Sequence, residues 1–292
     1  MRCALSGGPD SAALVALAVA ADLRVEAVHI DHGLRPNSAA DAEIAATTAR
    51  HFGIDFHCER IVLDHGPNLE ARARLARRRV MGSDALTGHT ADDQAETLLI
   101  NLLRGSGSTG LAAMRPGPGK PILALRRTDT HQLCELLGVD VAIDATNADP
   151  RFRRNRVRNE VLPLLDDVAT RDVALLLTRT SDLLRDDDDF LGELAAEIDP
   201  TDARAIAAAP APLARRALRQ WIIDTIDSGP QDVALNQPGA VGQQRHAPDL
   251  ATVERIMAVA RGAATGCDVR AGWRVERSHQ RLRLFSPSPP SR

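Results

Sequence analysis

The chain of 292 residues contains no tyrosine, and its aromatic complement is five phenylalanines and two tryptophans. A multi-aromatic platform for stacking RNA bases is therefore excluded, and phosphate contacts and shape would have to carry any RNA binding. Its four cysteines, Cys3, Cys58, Cys134 and Cys267, lie far apart and form no CxxC pair. That spacing argues against a zinc knuckle, an iron–sulfur site or a disulfide scaffold, and suits a reducing cytosol. An excess of one charge is missing too, with 36 basic against 39 acidic residues and a net charge of −3. A uniformly basic nucleic-acid coat is thereby ruled out, while local basic patches are not. The Ala-rich apolar run over residues 12–21 is about half of the roughly twenty residues that span a bilayer. It follows a glycine turn rather than the basic segment of a signal peptide. A cytoplasmic protein without membrane contact is expected.

What is present divides into two parts, as this length predicts. Short apolar or β-branched runs at 2–5, 24–30, 55–63 and 85–88 read as strands. They alternate with helical periodicity over 10–21, from a Ser38 cap to about Phe52, over 69–80 and from Thr90 to Arg104. Such alternation predicts βαβ units: an α/β domain with a parallel sheet and helices on both faces. After about residue 165 the sequence turns helical and rich in Ala, Leu and Arg, predicting a smaller, mainly helical C-terminal domain over 166–292. Residues 228–248, rich in Gly, Pro and Gln, read as a loop, and "CDVRAGWRVERSHQRLRLF" carries a weak hairpin signal.

Three polar motifs each follow a predicted strand directly, so they converge at the carboxyl edge of one sheet, where α/β folds bind ligands. In "SGGPDS", Gly7 and Gly8 let backbone amides approach an anion, and Ser6 and Ser11 add hydroxyl donors. The helix that follows directs its positive end at the same point. An ordinary capped turn has the same composition, and this is neither GxxxxGK[ST] nor GxGxxG. "VHIDHGLR" sets His29, Asp31 and His32 at a strand end, without Cys or carboxylate partners at metal-ligand spacing. "TGHTADDQAET" is the most informative. Thr90 and Asp93 fit a capping box, yet Asp92, Asp93 and Glu96 crowd two turns at spacings where like charges repel. A bound cation, either Mg²⁺ or a substrate ammonium, would relieve that repulsion. Finally, "DPRFRRNRVRNEVLP" puts five arginines within eight residues. A cluster that dense suits bidentate phosphate contacts.

In order, these segments resemble the tRNA(Ile)-lysidine synthetase family of the PP-loop (N-type) ATP pyrophosphatases. SGGPDS matches the superfamily's SGGxDS loop. HIDHGLR, GHTADDQAET with "LLRGSG", "DATN" at 144–147 and "RNRVR" before "LP" match the family set. The likeness is close over about residues 2–165 and loose beyond. In the family's E-x-x-A-R-x-x-R-Y pattern this chain has Glu70, Ala73, Arg74 and Arg77, with Arg78 at the tyrosine position. Lys120 to Leu123 stand where the family has R-P-L-L.

The resemblance implies an ATP-binding catalytic domain over 1–165 and a tRNA-contacting domain over 166–292. The implied reaction joins free L-lysine to C2 of the wobble cytidine of tRNA(Ile) with a CAU anticodon, through an adenylated cytidine. ATP would sit on Ser6, Gly7, Gly8, Pro9, Asp10, Ser11, His29, Asp31, His32, Gly88 and His89. Asp93 and Glu96 would take the lysine ammonium and Arg74 its carboxylate. Together with Asp10 these three form the catalytic set. Asp10 or Asp92 would carry Mg²⁺. Arg154, Asn155 and Arg158 would position the anticodon loop, and a homodimer is compatible with all of this. Two rival readings are a PP-loop enzyme that thiolates a tRNA base and a non-catalytic adenine-nucleotide-binding module.

Overall fold

The computed structural model describes residues 1–31, 38–61, 80–82, 84–142, 149–227, 248–269 and 272–286. The described chain forms two compact units, Met1–Arg185 and Asp186–Arg292.

In the first unit, β1 (Arg2–Ala4), β2 (Glu26–Asp31) and β3 (Asp55–Arg60) form a parallel sheet in the order β1-β2-β3. Cys3 pairs with Ala27, which in turn pairs with Phe56. The predicted fourth strand is reduced to a parallel bridge between Leu86 and Cys3, with backbone bonds from Ala4 N to Leu86 O and from Leu86 N to Arg2 O, both 2.9 Å. Leu86 thus borders β1 on the side away from β2, so the order in which the chain adds parallel segments to the sheet reverses at β1. In α/β sheets such a reversal opens a crevice at the strands' carboxyl ends.

Helix α1 (Pro9–Ala20) begins with proline in its first turn, where the fixed φ suits a helix and no amide is lost. Helix α2 (Ser38–His51) lies between β2 and β3. Leu5, Leu14, Val15, Ala27, Ala45, Ala49 and Ile122 bury the sheet's apolar surface. Helix α3 (Ala91–Leu102), the short α4 (Ser108–Leu111) and α5 (Arg127–Leu136) follow. Next come α6 (Arg153–Arg156), one π-turn (Val157–Val161) and α7 (Leu162–Ala169). One face of α3, with Ala95, Leu98 and Leu99, packs on Val157, Leu162 and Ala174. That contact fixes the arginine-rich segment against α3. The helix expected over 69–80 and the loop expected over 228–248 fall almost wholly outside the described residues, as do His32, Arg74 and the DATN segment.

Helix α8 (Val173–Ala196) runs across the division into the second unit. There α9 (Ala203–Ala208), α10 (Ala211–Asp227) and α11 (Leu250–Ala260) bury Ile206, Leu218, Ile222, Ile256 and Met257. Asp202 and Asp249 cap α9 and α11 by accepting backbone N–H bonds. The weak hairpin signal becomes a three-stranded antiparallel sheet, β4 (Gly266–Asp268), β5 (Arg274–Ser278) and β6 (Arg281–Phe285). Its tight turn puts His279 and Gln280 at φ 48° and 63°. Turns of this kind usually announce themselves with Asn-Gly, which explains the faint signal.

Candidate active site

The SGGPDS loop leaves β1 and enters α1 within four residues. Gly7 has φ +88°, and a Cβ there would lie 3.1 Å from the Asp41 carbonyl oxygen, so only glycine makes this turn without strain. Ser11 Oγ accepts from the Ser6 amide at 3.1 Å and donates to the Gly8 carbonyl at 2.8 Å. The Gly8 amide donates to Ser6 Oγ at 3.3 Å. These bonds brace the loop from within and gather both hydroxyls at the positive end of α1, where an anion is favoured. His29 is buried, and its Nδ1 lies 2.8 Å from the Leu5 carbonyl oxygen. It ties β2 to the residue preceding the loop. Asp31 ends β2, with Oδ2 3.8 Å from Arg60 Nε.

The second motif lies directly against the first. A Cβ on Gly88 would stand 2.6 Å from the Asp10 carbonyl oxygen and 3.0 Å from the Ser11 amide nitrogen. Next to it, His89 Nδ1 and Thr87 Oγ1 are 2.8 Å apart, and Thr87 donates through its amide and its hydroxyl to the Gly119 carbonyl.

The capping box forms as expected, because Asp93 Oδ2 accepts from the Thr90 amide at 3.0 Å and its hydroxyl at 3.2 Å. Asp93 Oδ1 turns the other way, to Arg127 Nη2 and Arg154 Nη2, each at 3.2 Å. Glu96 is wholly buried and accepts four guanidinium bonds. Arg154 Nε donates to its Oε2 at 2.6 Å, and Arg158 Nε to its Oε1 at 2.6 Å. Arg158 Nη2 and Arg127 Nη1 complete the set at 3.1 and 3.2 Å. Asp92 accepts from Arg126 Nε and Nη2 at 3.0 and 2.9 Å and from the Arg127 amide at 2.7 Å. The cations that relieve the crowded acids are thus the chain's own arginines.

Arg127 joins the two motifs. Its Nε lies 3.5 Å from Asp10 Oδ2 while its other nitrogens reach Asp93 and Glu96. Asp10 also accepts from Thr130 Oγ1 at 2.5 Å. Burial raises the Asp10 carboxyl above its ordinary value, although Thr130 and Arg127 oppose the shift. Burial also acts to raise Asp92, but there the Arg126 and Arg127 bonds prevail and hold it below its ordinary value. On Arg127, burial pulls down and the surrounding carboxylates pull up more strongly, keeping it firmly protonated. Asp10, Asp92, Asp93 and Glu96 face Arg126, Arg127, Arg154 and Arg158, and Arg126 also pairs with Asp172 at the edge of the cluster.

Of the residues singled out from the sequence, Ser6 to Ser11, Gly88, Asp92, Asp93, Glu96, Arg154 and Arg158 form one continuous region. Asn155 is buried, with its side-chain amide donating to the Asp149 carbonyl at 2.9 Å. Arg126, Arg127 and Thr130 were not singled out. Their signal was the Arg-Arg pair ahead of Asp129, which accepts from the Arg126 amide at 2.8 Å and so starts α5. Among the described residues, no group of three or more His, Cys, Asp or Glu side chains is arranged to hold a metal.

The PP-loop domain family matches residues 1–165. The tRNA(Ile)-lysidine synthase of Nocardia farcinica is 45% identical over 248 residues, covering 80% of this chain and 78% of its own. The tRNA(Ile)-lysidine synthase of Mycolicibacterium paratuberculosis is 43% identical, covering 75% and 73%. That of Rhodococcus jostii is 41% identical, covering 80% and 76%. Among solved structures, the U34-tRNA thiolase NcsA from Methanococcus maripaludis superposes with a TM-score of 0.52 at 16% identity, covering 63% of this chain and 71% of that one. That likeness speaks for the fold alone. With the phosphate-loop geometry and the acid–arginine cluster beside it, the chain belongs to the PP-loop domain family and, within it, to the tRNA(Ile)-lysidine synthase family.

Proposed function

We propose that the chain is an ATP-dependent ligase that converts the wobble cytidine of CAU-anticodon tRNA(Ile) to lysidine. The cytidine O2 attacks the α-phosphorus of ATP, and the bond to pyrophosphate breaks. The ε-ammonium of lysine first gives a proton to water, the neutral amine attacks C2, the C2–O bond breaks, AMP leaves with that oxygen, and the new C–N nitrogen loses a second proton to water. The observation that carries this reading is Arg127, whose guanidinium reaches the loop's Asp10 and also Asp93 and Glu96. A nucleotide on the loop and an amine at the acid pair would share one wall. Catalysis needs such donors and charges fixed before the reaction begins.

In this reading Ser6, Gly7, Gly8, Pro9, Asp10 and Ser11 hold the ATP phosphates, and His29, Asp31, His32, Gly88 and His89 frame the nucleotide. Asp93 and Glu96 receive the lysine ammonium and Arg74 its carboxylate. Mg²⁺ suits a site with one or two carboxylates plus substrate phosphates. Asp10 would take that role by giving up its long contact to Arg127 at 3.5 Å while keeping its bond from Thr130. Asp92 is held more firmly, accepting from Arg126 and the Arg127 amide at 2.7 to 3.0 Å, and would have to release Arg126 to meet the ion. Arg154 and Arg158 present charge to the anticodon loop, whose target base must be splayed out to react, and Asn155 braces their segment. The Asp186–Arg292 unit would contact the tRNA body. Four free cysteines suit the cytoplasm, and no described helix is long and apolar enough to cross a membrane.

Incubation with ATP, labelled lysine and the CAU-anticodon tRNA tests the proposal: label should enter the RNA, and pyrophosphate should appear only when ATP and tRNA are both present. Asp93→Asn should lose lysine transfer while adenylated tRNA accumulates. A folded Asp93→Asn protein that traps no adenylated tRNA would refute separate roles for the two steps.

A further inference from the structure

The bonds already made to the acid pair constrain how an ammonium can enter. Asp10, Asp93 and Glu96 are matched by Arg127, Arg154 and Arg158. Glu96 already accepts four guanidinium bonds and Asp93 accepts two from Thr90 and two from arginines, which fills the roughly four acceptor sites of each carboxylate. One guanidinium must therefore withdraw when lysine binds.

The three arginines are not equally exposed to a partner from outside. Arg127 touches three carboxylates, and its own amide donates to Asp92. Arg158 makes one short and one longer bond to Glu96, at 2.6 and 3.1 Å, and its side chain is 24% exposed. Arg154 makes one short bond to Glu96, and its contacts to Asp93 are longer, at 3.2 and 3.4 Å. Its side chain is 43% exposed, against 20% for Arg127. It also stands in α6 beside the exposed Arg153, and the exposed Arg151, paired with Asp149, precedes that helix; arginines so placed suit a phosphate backbone.

We infer that Arg154 is a gate that links RNA binding to lysine binding: an RNA phosphate draws its guanidinium from Asp93 and Glu96, and the lysine ammonium takes the vacated position. This inference rests on the proposed function. Because linkage is reciprocal, RNA must tighten lysine by the factor with which lysine tightens RNA.

The test is equilibrium dialysis of labelled lysine against the full chain without ATP, with and without a CAU-anticodon stem–loop RNA. RNA should tighten lysine at least tenfold in the wild type. Arg154→Ala should bind lysine without RNA about as tightly as the wild type does with it, and RNA should then add less than twofold. The same variant should bind RNA more weakly, with a salt slope smaller by about one. Arg154→Lys should restore the RNA dependence, and Arg171→Ala, which removes an exposed arginine elsewhere, should leave it unchanged. If Arg154→Ala fails to fold, Arg154→Gln takes its place with the same expected outcome. Wild-type lysine affinity indifferent to RNA, or an Arg154 variant that still needs RNA, would overturn the gate. Label entering tRNA in the complete reaction, with lysine binding indifferent to RNA, removes the gate alone; no label entering tRNA removes the proposed function itself.

Discussion

Arg154 and Arg158, four residues apart, both point their Nε at Glu96, each at 2.6 Å. Val157 between them is buried against α3. Apolar packing therefore sets the position of the guanidiniums, and the acid does not have to draw in two free side chains. The π-turn that begins at Val157 widens the helix here, a distortion often found at functional sites.

Glu96→Gln should be costly for this reason. It leaves Arg127, Arg154 and Arg158 around a neutral, wholly buried amide that can accept through one oxygen only. Breaking a buried pair by removing one partner costs about 3–5 kcal/mol. Urea unfolding should show a loss of that order, and lysine transfer should fall at least a hundredfold. A stability change below about 1 kcal/mol would show that the arginines hold nothing together through Glu96.

Asp92 gives a prediction in pH. The Arg126 and Arg127 bonds outweigh burial and lower its carboxyl from the ordinary value of 3.8. A depressed folded value means that the native state favours the ionised form. Its stabilising contribution is therefore complete above pH 3.8 and is lost as the pH falls through the lower folded value. Asp92→Asn should accordingly be less stable than the wild type at pH 7, with the gap narrowing below about pH 4. A gap constant from pH 7 to pH 3, followed by chemical denaturation, would contradict the ion pair.

Much of this was legible in the sequence because local rules and the fold agree. The glycine loop before an apolar helix, the Thr90–Asp93 capping box and the parallel strands all follow from periodicity and turn chemistry. The partners of the acids were not legible. Repulsion among Asp92, Asp93 and Glu96 signalled a missing cation, but Arg126 and Arg127 lie more than thirty residues away in sequence. Arg154 and Arg158 were read by their charge as phosphate ligands, while their ion pairs with Glu96 arise only when α3 packs on Val157. The strand at 85–88 shrank to one bridge because its polar continuation, Thr87 to Thr90, bonds to loops and caps α3 instead.

Gly88→Ala tests the contact between the two motifs. The added methyl would meet the Asp10 carbonyl oxygen at 2.6 Å and its carbon at 2.8 Å, both backbone atoms of the loop. Overpacking of this kind costs about 1–3 kcal/mol, and here the strain falls on the phosphate cradle. Adenylation should drop at least thirtyfold, mostly through a raised KM for ATP, while lysine binding measured without ATP changes little. Equal damage to ATP and lysine binding would mean that the shift spreads through α3 instead of stopping at the loop.

Gln94→Leu probes how the acid-bearing helix is braced from behind. Gln94 is buried on α3, and its side-chain amide donates to the Met114 carbonyl at 2.6 Å while accepting from the Met114 amide at 2.8 Å. Arg185, on α8, donates to the same carbonyl at 3.1 Å and to that of Ala112 at 2.7 Å. Leucine matches the volume but leaves the Met114 N–H without its side-chain acceptor, and a buried orphan donor costs about 1–3 kcal/mol. The carbonyl keeps Arg185, so the loss should lie near the lower figure. Arg185→Met should also destabilise the protein, and the double variant should lose more than the sum of the two, because either residue alone still satisfies the Met114 carbonyl and only the double variant orphans it. Strict additivity in a double-mutant cycle, read from urea midpoints, would show that the two hold Met114 independently.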